Sequence, residues 1–213
     1  MRENGEKFKV RTGARLFFWN LSHYLMGLIS VNLLFFACSL PILTIGPACA
    51  ALCRVCCLLA DGKPLLYPAA EFFSAFKAAF WKGLSAGFIW LCFTGSEVFA
   101  ICMILRGGGA EAAVYMLLAI AALLFNMMFL YVFPQLAMIE LSLKDTLKNS
   151  VLLMLHDLKR ALLAALTAAA LLLAPLFFLP GSFVFYVIVQ FSLACLTACS
   201  FSWPLISRRI AGK

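Results

Sequence analysis

The sequence predicts an all-α fold: a polytopic bundle of about six transmembrane helices, paired as three helical hairpins, with amphipathic helices on the cytoplasmic side. Three observations predict it. Hydrophobic residues make up 65% of the 213-residue chain and charged residues only 12%, roughly half the charge of a soluble domain. Several apolar runs match or exceed the ~20 residues that cross a bilayer core about 30 Å thick. The two longest runs are interrupted by proline and glycine, which end helices and turn the chain. Spans and short connections use nearly the whole length, so residues 1–213 read as one membrane domain.

The chain opens on a basic head, Arg2, Lys7, Lys9, Arg11 and Arg15. The apolar stretch behind it far exceeds the roughly 7–15 residues of a signal-peptide core, so it reads as a retained span. From Leu16 to Ala60 no Asp, Glu or Lys occurs, and the only His and Arg are His23 and Arg54. A continuous helix over that run would be about 67 Å long at ~1.5 Å per residue, too long for one crossing. The segment Ser39-Leu40-Pro41-Ile42-Leu43-Thr44-Ile45-Gly46-Pro47 breaks it, giving spans at 16–40 and 47–61. Next come spans at 84–105, interrupted only by Glu97, and at 112–134, inside an uncharged run that reaches Ile139. The uncharged run 161–207 is again too long, and Pro175 and Pro180-Gly181 divide it into spans at 161–179 and 183–204.

Basic residues fix the orientation. With an inside N-terminus, segments 1–16, 61–83, 135–160 and 205–213 hold five, three, four and three Lys/Arg, Arg54 sits near the inner end of the second helix, and only Arg106 is left outside. A single crossing by the first run would split the basic residues across the membrane and violate the positive-inside rule. Both termini are therefore expected in the cytoplasm. Two inside segments read as interfacial helices that anchor the bundle. In one, Phe72, Phe76 and Phe80 recur at helical spacing beside Lys77, Trp81 and Lys82. The other opens on Ser142-x-x-Asp145, a capping-box-like start, and places Leu147, Val151, Leu155 and Leu158 along one face.

The net charge of +8 is explained by these flanking residues, and no phosphate loop, RNA-binding aromatic motif or zinc-finger spacing points to nucleic acid. Nine cysteines are present. Cys53-Arg-Val-Cys56-Cys57 contains a C-x-x-C, but along the chain no second pair and no nearby histidine completes a metal site, so the thiols read as small hydrophobes. Cys49, Cys53 and Cys56 share a helical face with Ala50, suited to close helix contact. No H-E-x-x-H occurs. The reading is a non-enzyme, with no catalytic residue, cofactor or metal nominated.

Two places carry candidate functional residues. Glu97 is the only acid in the interior of a predicted span, and intramembrane carboxylates are expensive and commonly functional. Its candidate partners are Asn32, Asn126, Gln190 and Arg54, and it serves either as an ion or substrate contact or as a tie between helices. The second place is the break itself, with Pro41, Thr44, Gly46 and Pro47. Residues 48–60 return only about 20 Å by helical rise. Either the return helix continues past Asp61-Gly62 or the turn lies below the outer surface, where Ser39 and Thr44 would satisfy freed backbone groups.

Asn32-Leu33-Leu34, Ser39-Leu40-Pro41, Thr44-Ile45-Gly46-Pro47 and Ala50-Ala51-Leu52 together resemble the N-terminal signature of the YesL-like family of bacterial integral membrane proteins, a domain family of unknown function. Phe76-Lys77 before Trp81-Lys82 is similar to a Phe/Lys-rich segment of the same family. The resemblance is specific at 32–52 and covers the rest in length and span layout. It implies a multi-pass protein of the bacterial cell membrane and an accessory or regulatory part in carbohydrate uptake. The partners it implies, besides the lipid bilayer, are permease subunits of carbohydrate ABC transporters. The alternative is a small transporter or channel acting as a homo-oligomer, with the Pro41–Pro47 break lining the path. The resemblance carries over no catalytic or binding residue, and the cysteines and Glu97 have no counterpart in its pattern.

Overall fold

The computed structural model describes residues 14–106, 112–173 and 186–210, all helices and short connections with no strand among them. The basic residues at 2–11, the glycines at 107–109, and Pro175 and Pro180-Gly181 lie outside the described residues. The helices are α1 (Ala14–His23), α2 (Leu25–Ser39), α3 (Ile45–Ala60), α4 (Pro68–Ala78), α5 (Phe80–Leu105), α6 (Ala112–Met138), α7 (Leu143–His156), α8 (Leu158–Leu173) and α9 (Phe191–Arg209). A 3₁₀ turn, Ile42–Thr44, joins α2 to α3, and a π-helical turn, Tyr186–Gln190, leads into α9. Among the described residues, four stretches are long and apolar enough to cross a bilayer: Ile42–Ala60, Phe80–Leu105, Ala113–Met138 and Val187–Arg209.

The expected first span, 16–40, is bent. Tyr24 leaves helical geometry, although the Tyr24 amide still donates to Asn20 O and the Leu28 amide to Tyr24 O. The cause lies in α1, where the buried Asn20 donates from Nδ2 to Leu59 O at 2.7 Å. That carbonyl belongs to the last turn of α3, which has no helical partner of its own. Gly62 completes the same terminus with φ +72°, a left-handed conformation that costs glycine nothing. It brings the Gly62 amide to Leu59 O and the Lys63 amide to Leu58 O.

α3 is the central helix. It packs on α2, α4, α5, α6 and α9, and most of its length is buried. Its small side chains, Gly46, Ala48, Ala50, Ala51 and Cys53, let five neighbours approach, which is how helices associate where lipid removes the hydrophobic drive. α5 and α6 run antiparallel: Trp90 meets Phe133, Phe93 stacks on Phe125 at 3.6 Å, and Phe99 meets Tyr115. α6 continues to Met138 past Pro134, four residues beyond the expected end. Proline there removes one donor, and the ladder resumes with the Ile139 amide on Gln135 O.

Of the two segments expected to lie at the interface, α4 packs aromatic side chains inward, and α7 keeps most of its apolar stripe outward. In α4, Phe72 is fully buried and Ala75 nearly so, against α3, while Trp81 stays 77% exposed. In α7 Val151 and Leu155 are exposed, as is Leu158 at the start of α8, while Leu147 is half-buried and Thr146, Ser150, Leu153 and Met154 are buried. Gln135, buried near the end of α6, donates to Ser150 Oγ at 2.8 Å and to Tyr131 O at 3.1 Å, which ties α7 to α6. The cap at Ser142 forms as expected, accepting from the Asp145 amide at 3.2 Å.

Candidate functional site at the break between α2 and α3

The break is built by the chemistry of its own residues. Pro41 and Pro47 carry no amide donor, so two N–H groups that a helix interruption would orphan do not exist. Thr44 supplies the missing donor for the carbonyls: its Oγ1 lies 2.5 Å from Cys38 O and 2.7 Å from Pro41 O, and its amide donates to Pro41 O at 2.8 Å. Of the two hydroxyls expected to do this, only Thr44 does, and Ser39 Oγ is buried with no hydrogen-bond partner. Pro47 sits in the first turn of α3, where a helix tolerates a missing N–H.

Gly46 and Pro47 then press directly on α5. A Cβ on Gly46 would lie 2.0 Å from the Gly83 carbonyl oxygen, and one on Gly87 would lie 2.6 Å from Gly46 Cα. One on Gly83 would come within 2.8 Å of Pro47 Cα. Gly83-x-x-x-Gly87 is thus a small-xxx-small crossing surface, and Gly46-Pro47 is what it receives. The glycine spacing is visible in the sequence, inside an apolar segment, and would have nominated α5 as the partner of the break. Past Gly87, α5 runs on to Leu105, about 27 Å further at ~1.5 Å per residue. The break therefore packs beside the first third of α5.

The outward side of the break is apolar. Leu40, Ile42 and Leu43 are 72%, 67% and 64% exposed, and Leu43 borders a shallow groove floored by Leu84, Ser85, Phe88 and Ile89.

The other predicted site residues lie elsewhere. Asn32, fully buried on α2, donates from Nδ2 to Val187 O at 2.8 Å and accepts at Oδ1 from the Ser192 amide at 2.8 Å. It thereby bridges the π-turn and the start of α9, where the change of helical register frees backbone groups. Gln190, in the same turn, donates to Leu171 O. Glu97 lies further along α5 and meets Asn126 alone of its four candidate partners. Asn126 Nδ2 donates to Glu97 Oε2 at 2.6 Å and to Ala122 O at 3.1 Å, while Oδ1 accepts from Trp90 Nε1 at 2.7 Å and Thr94 Oγ1 at 3.0 Å. Both donors and both acceptor positions of the amide are used. Arg54 turns instead to Ala137 O at 3.2 Å and to Glu71 at 3.7 Å.

The reading of Cys53-x-x-Cys56 as lacking a second pair holds along the chain but not in space. α9 lays Cys195 and Cys199 against Cys53, with Sγ–Sγ separations of 3.6 Å for Cys53–Cys195 and 3.8 Å for Cys195–Cys199. No spacing rule could find a pair 142 positions away.

These features define an all-helical membrane protein of several apolar helices wrapped round a buried small-residue helix. Over residues 28–101, about a third of the chain, it is similar to a family whose model is described as "Protein of unknown function, DUF624". The matched stretch holds both partners of the glycine crossing, Gly46-Pro47 and Gly83-x-x-x-Gly87. No curated protein and no solved structure matches the chain.

Proposed function

We propose that the protein is a non-enzymatic integral membrane protein that works by packing against other membrane proteins. On the YesL-like resemblance, it is an accessory or regulatory component of carbohydrate uptake in the bacterial cell membrane. The observation that carries this reading is the character of the break. Non-helical backbone within a membrane must be buried in protein or line a watery cavity. Here the prolines and Thr44 remove the need for water, the inner side is closed on glycines of α5, and the outward side chains are hydrocarbon. A path for ions or sugars wants convergent polar groups. An apolar, rigid turn suits another helix.

The orientation proposed is cytoplasmic for both termini. Supporting it, charged side chains gather at one end of the bundle: Arg54 reaches Ala137 and Glu71, Lys82 donates to Leu141 O at 2.8 Å, and Arg209 meets His156. α5 starts at that end, so the break packed on Gly83 and Gly87 lies in the inner third of the membrane. Residues 25–60 then form a re-entrant hairpin, which leaves the distribution of basic residues unchanged because both its ends remain inside.

The test places a photocrosslinking amino acid at Leu43 in native membranes. Capture of permease subunits is the expected result. Substrate flux in liposomes holding this protein alone, with no captured membrane partner, would instead establish the transporter reading.

A further inference from the structure

We propose that Cys53 of α3 and Cys195 and Cys199 of α9 form a binding site for a soft monovalent metal ion, copper(I). The three sulfur atoms all lie within 4.8 Å of one another, with two of the separations at 3.6 and 3.8 Å. An ion at about 2.3 Å from three sulfurs in one plane holds them about 4.0 Å apart, so each separation needs to change by less than about 1 Å. Their arrangement is held from both sides. α3 is locked by the Asn20 bond at its C-terminus and the glycine crossing at its start, and the start of α9 is pinned by Asn32. Cys56, on the next turn of α3, bonds to Ser192 O at 3.7 Å and keeps that face of α3 against α9.

The donor set selects the ion. It is sulfur only, which favours copper(I) and zinc over harder cations. Zinc in a closed site takes four ligands in a tetrahedron, whereas three are grouped here. The site is also buried, with Cys199 1% and Cys53 9% exposed, and a low-dielectric interior penalises net charge. A monovalent ion needs one thiol to ionise for the complex to stay neutral. That proton passes to solvent, no sulfur or metal changes oxidation state, and the affinity rises with pH.

The experiment uses the full chain in detergent, reduced and free of oxygen, with copper(I) titrated in competition with a chromogenic copper(I) chelator. One ion per chain is expected, with an ultraviolet sulfur-to-copper charge-transfer band. Cys53→Ser, Cys195→Ser and Cys199→Ser should each weaken binding by more than about tenfold, the lower end of what metal-site substitutions cost. The double variant Cys92→Ala/Cys102→Ala, at exposed positions on α5, should bind as the parent does. If the cluster variants fail to fold, protection of the unaltered protein decides the matter. Bound copper(I) should slow alkylation of Cys195, the half-buried member of the cluster, relative to the metal-free protein, and leave Cys92 and Cys102 equally reactive in both. No retained ion, binding indifferent to the cluster variants, protection confined to Cys92 and Cys102, or zinc bound in place of copper(I) would overturn the assignment.

Discussion

Glycine acts in two different ways in this chain, and substitution separates them. Gly46 has no room for a side chain because backbone atoms of Gly83 and Gly87 occupy the place of its Cβ. Backbone cannot rotate aside as a long side chain can, so Gly46→Ala must push α3 and α5 apart. The cost expected of such overpacking is about 1–3 kcal/mol. On the same α5, a Cβ added at Gly95 would meet nothing within 4 Å, and Gly95→Ala should be neutral or stabilising by up to about 1 kcal/mol through helix propensity. Thermal unfolding in detergent should show a marked drop for the first and none for the second. Equal tolerance of both would mean that the crossing is not tight. At this scale the sequence was legible for Pro41, Thr44, Gly46 and Pro47, whose oddness in an apolar run marks a break. It was not legible for what the break touches, since a glycine reads the same whether it flexes or is pressed on.

At the scale of the element, α5 and α6 are tied by one amide. Asn126 joins Trp90, Thr94 and Glu97, and removing it strands three polar groups between the helices. Interhelical hydrogen bonds in membranes are worth about 0.6 kcal/mol each on average, with ~1.7 the largest. Asn126→Ala should therefore lower stability by about 1–3 kcal/mol. Glu97→Gln keeps an acceptor facing Asn126 and should cost less than half as much in the same melting assay. A Glu97→Gln loss as large as that of Asn126→Ala would show that the tie depends on the carboxylate itself. Apolarity alone placed the end of α5 at Leu105, but the helix starts at Phe80, four residues ahead of the apolar run. Side chains from other elements did what the run could not show: Asn20 ties α1 to the end of α3, and Gln135 ties α6 to α7. Periodicity found both amphipathic stripes, but it cannot say whether a stripe meets lipid or protein, because both are apolar.

For the whole molecule, topology is the property most open to test. A re-entrant hairpin and a full pair of crossings leave the same charges on the same side, so the positive-inside rule is blind to the difference. Reporter insertion is not. A periplasm-active phosphatase inserted between Gly107 and Gly108 should be active, and one fused after Lys213 inactive. An insertion between Ile42 and Leu43 should also be inactive if the break stays in the inner third of the membrane. Activity there would show that the α2–α3 turn reaches the outer surface, as a six-span bundle requires.

The sequence by itself determined that this is an all-helical membrane protein, with apolar helices where the charges stop and an interruption that opens at Pro41. Those features follow from composition, local hydrogen-bonding capacity and the fixed thickness of a bilayer, all of which act within one segment. Only the tertiary structure decided that Gly46 meets Gly83 and Gly87, that Glu97 takes Asn126, and that the thiols of α3 meet those of α9. Each of these joins residues tens of positions apart or more, and in a chain where most side chains are apolar, many pairings look equally good until close packing selects one.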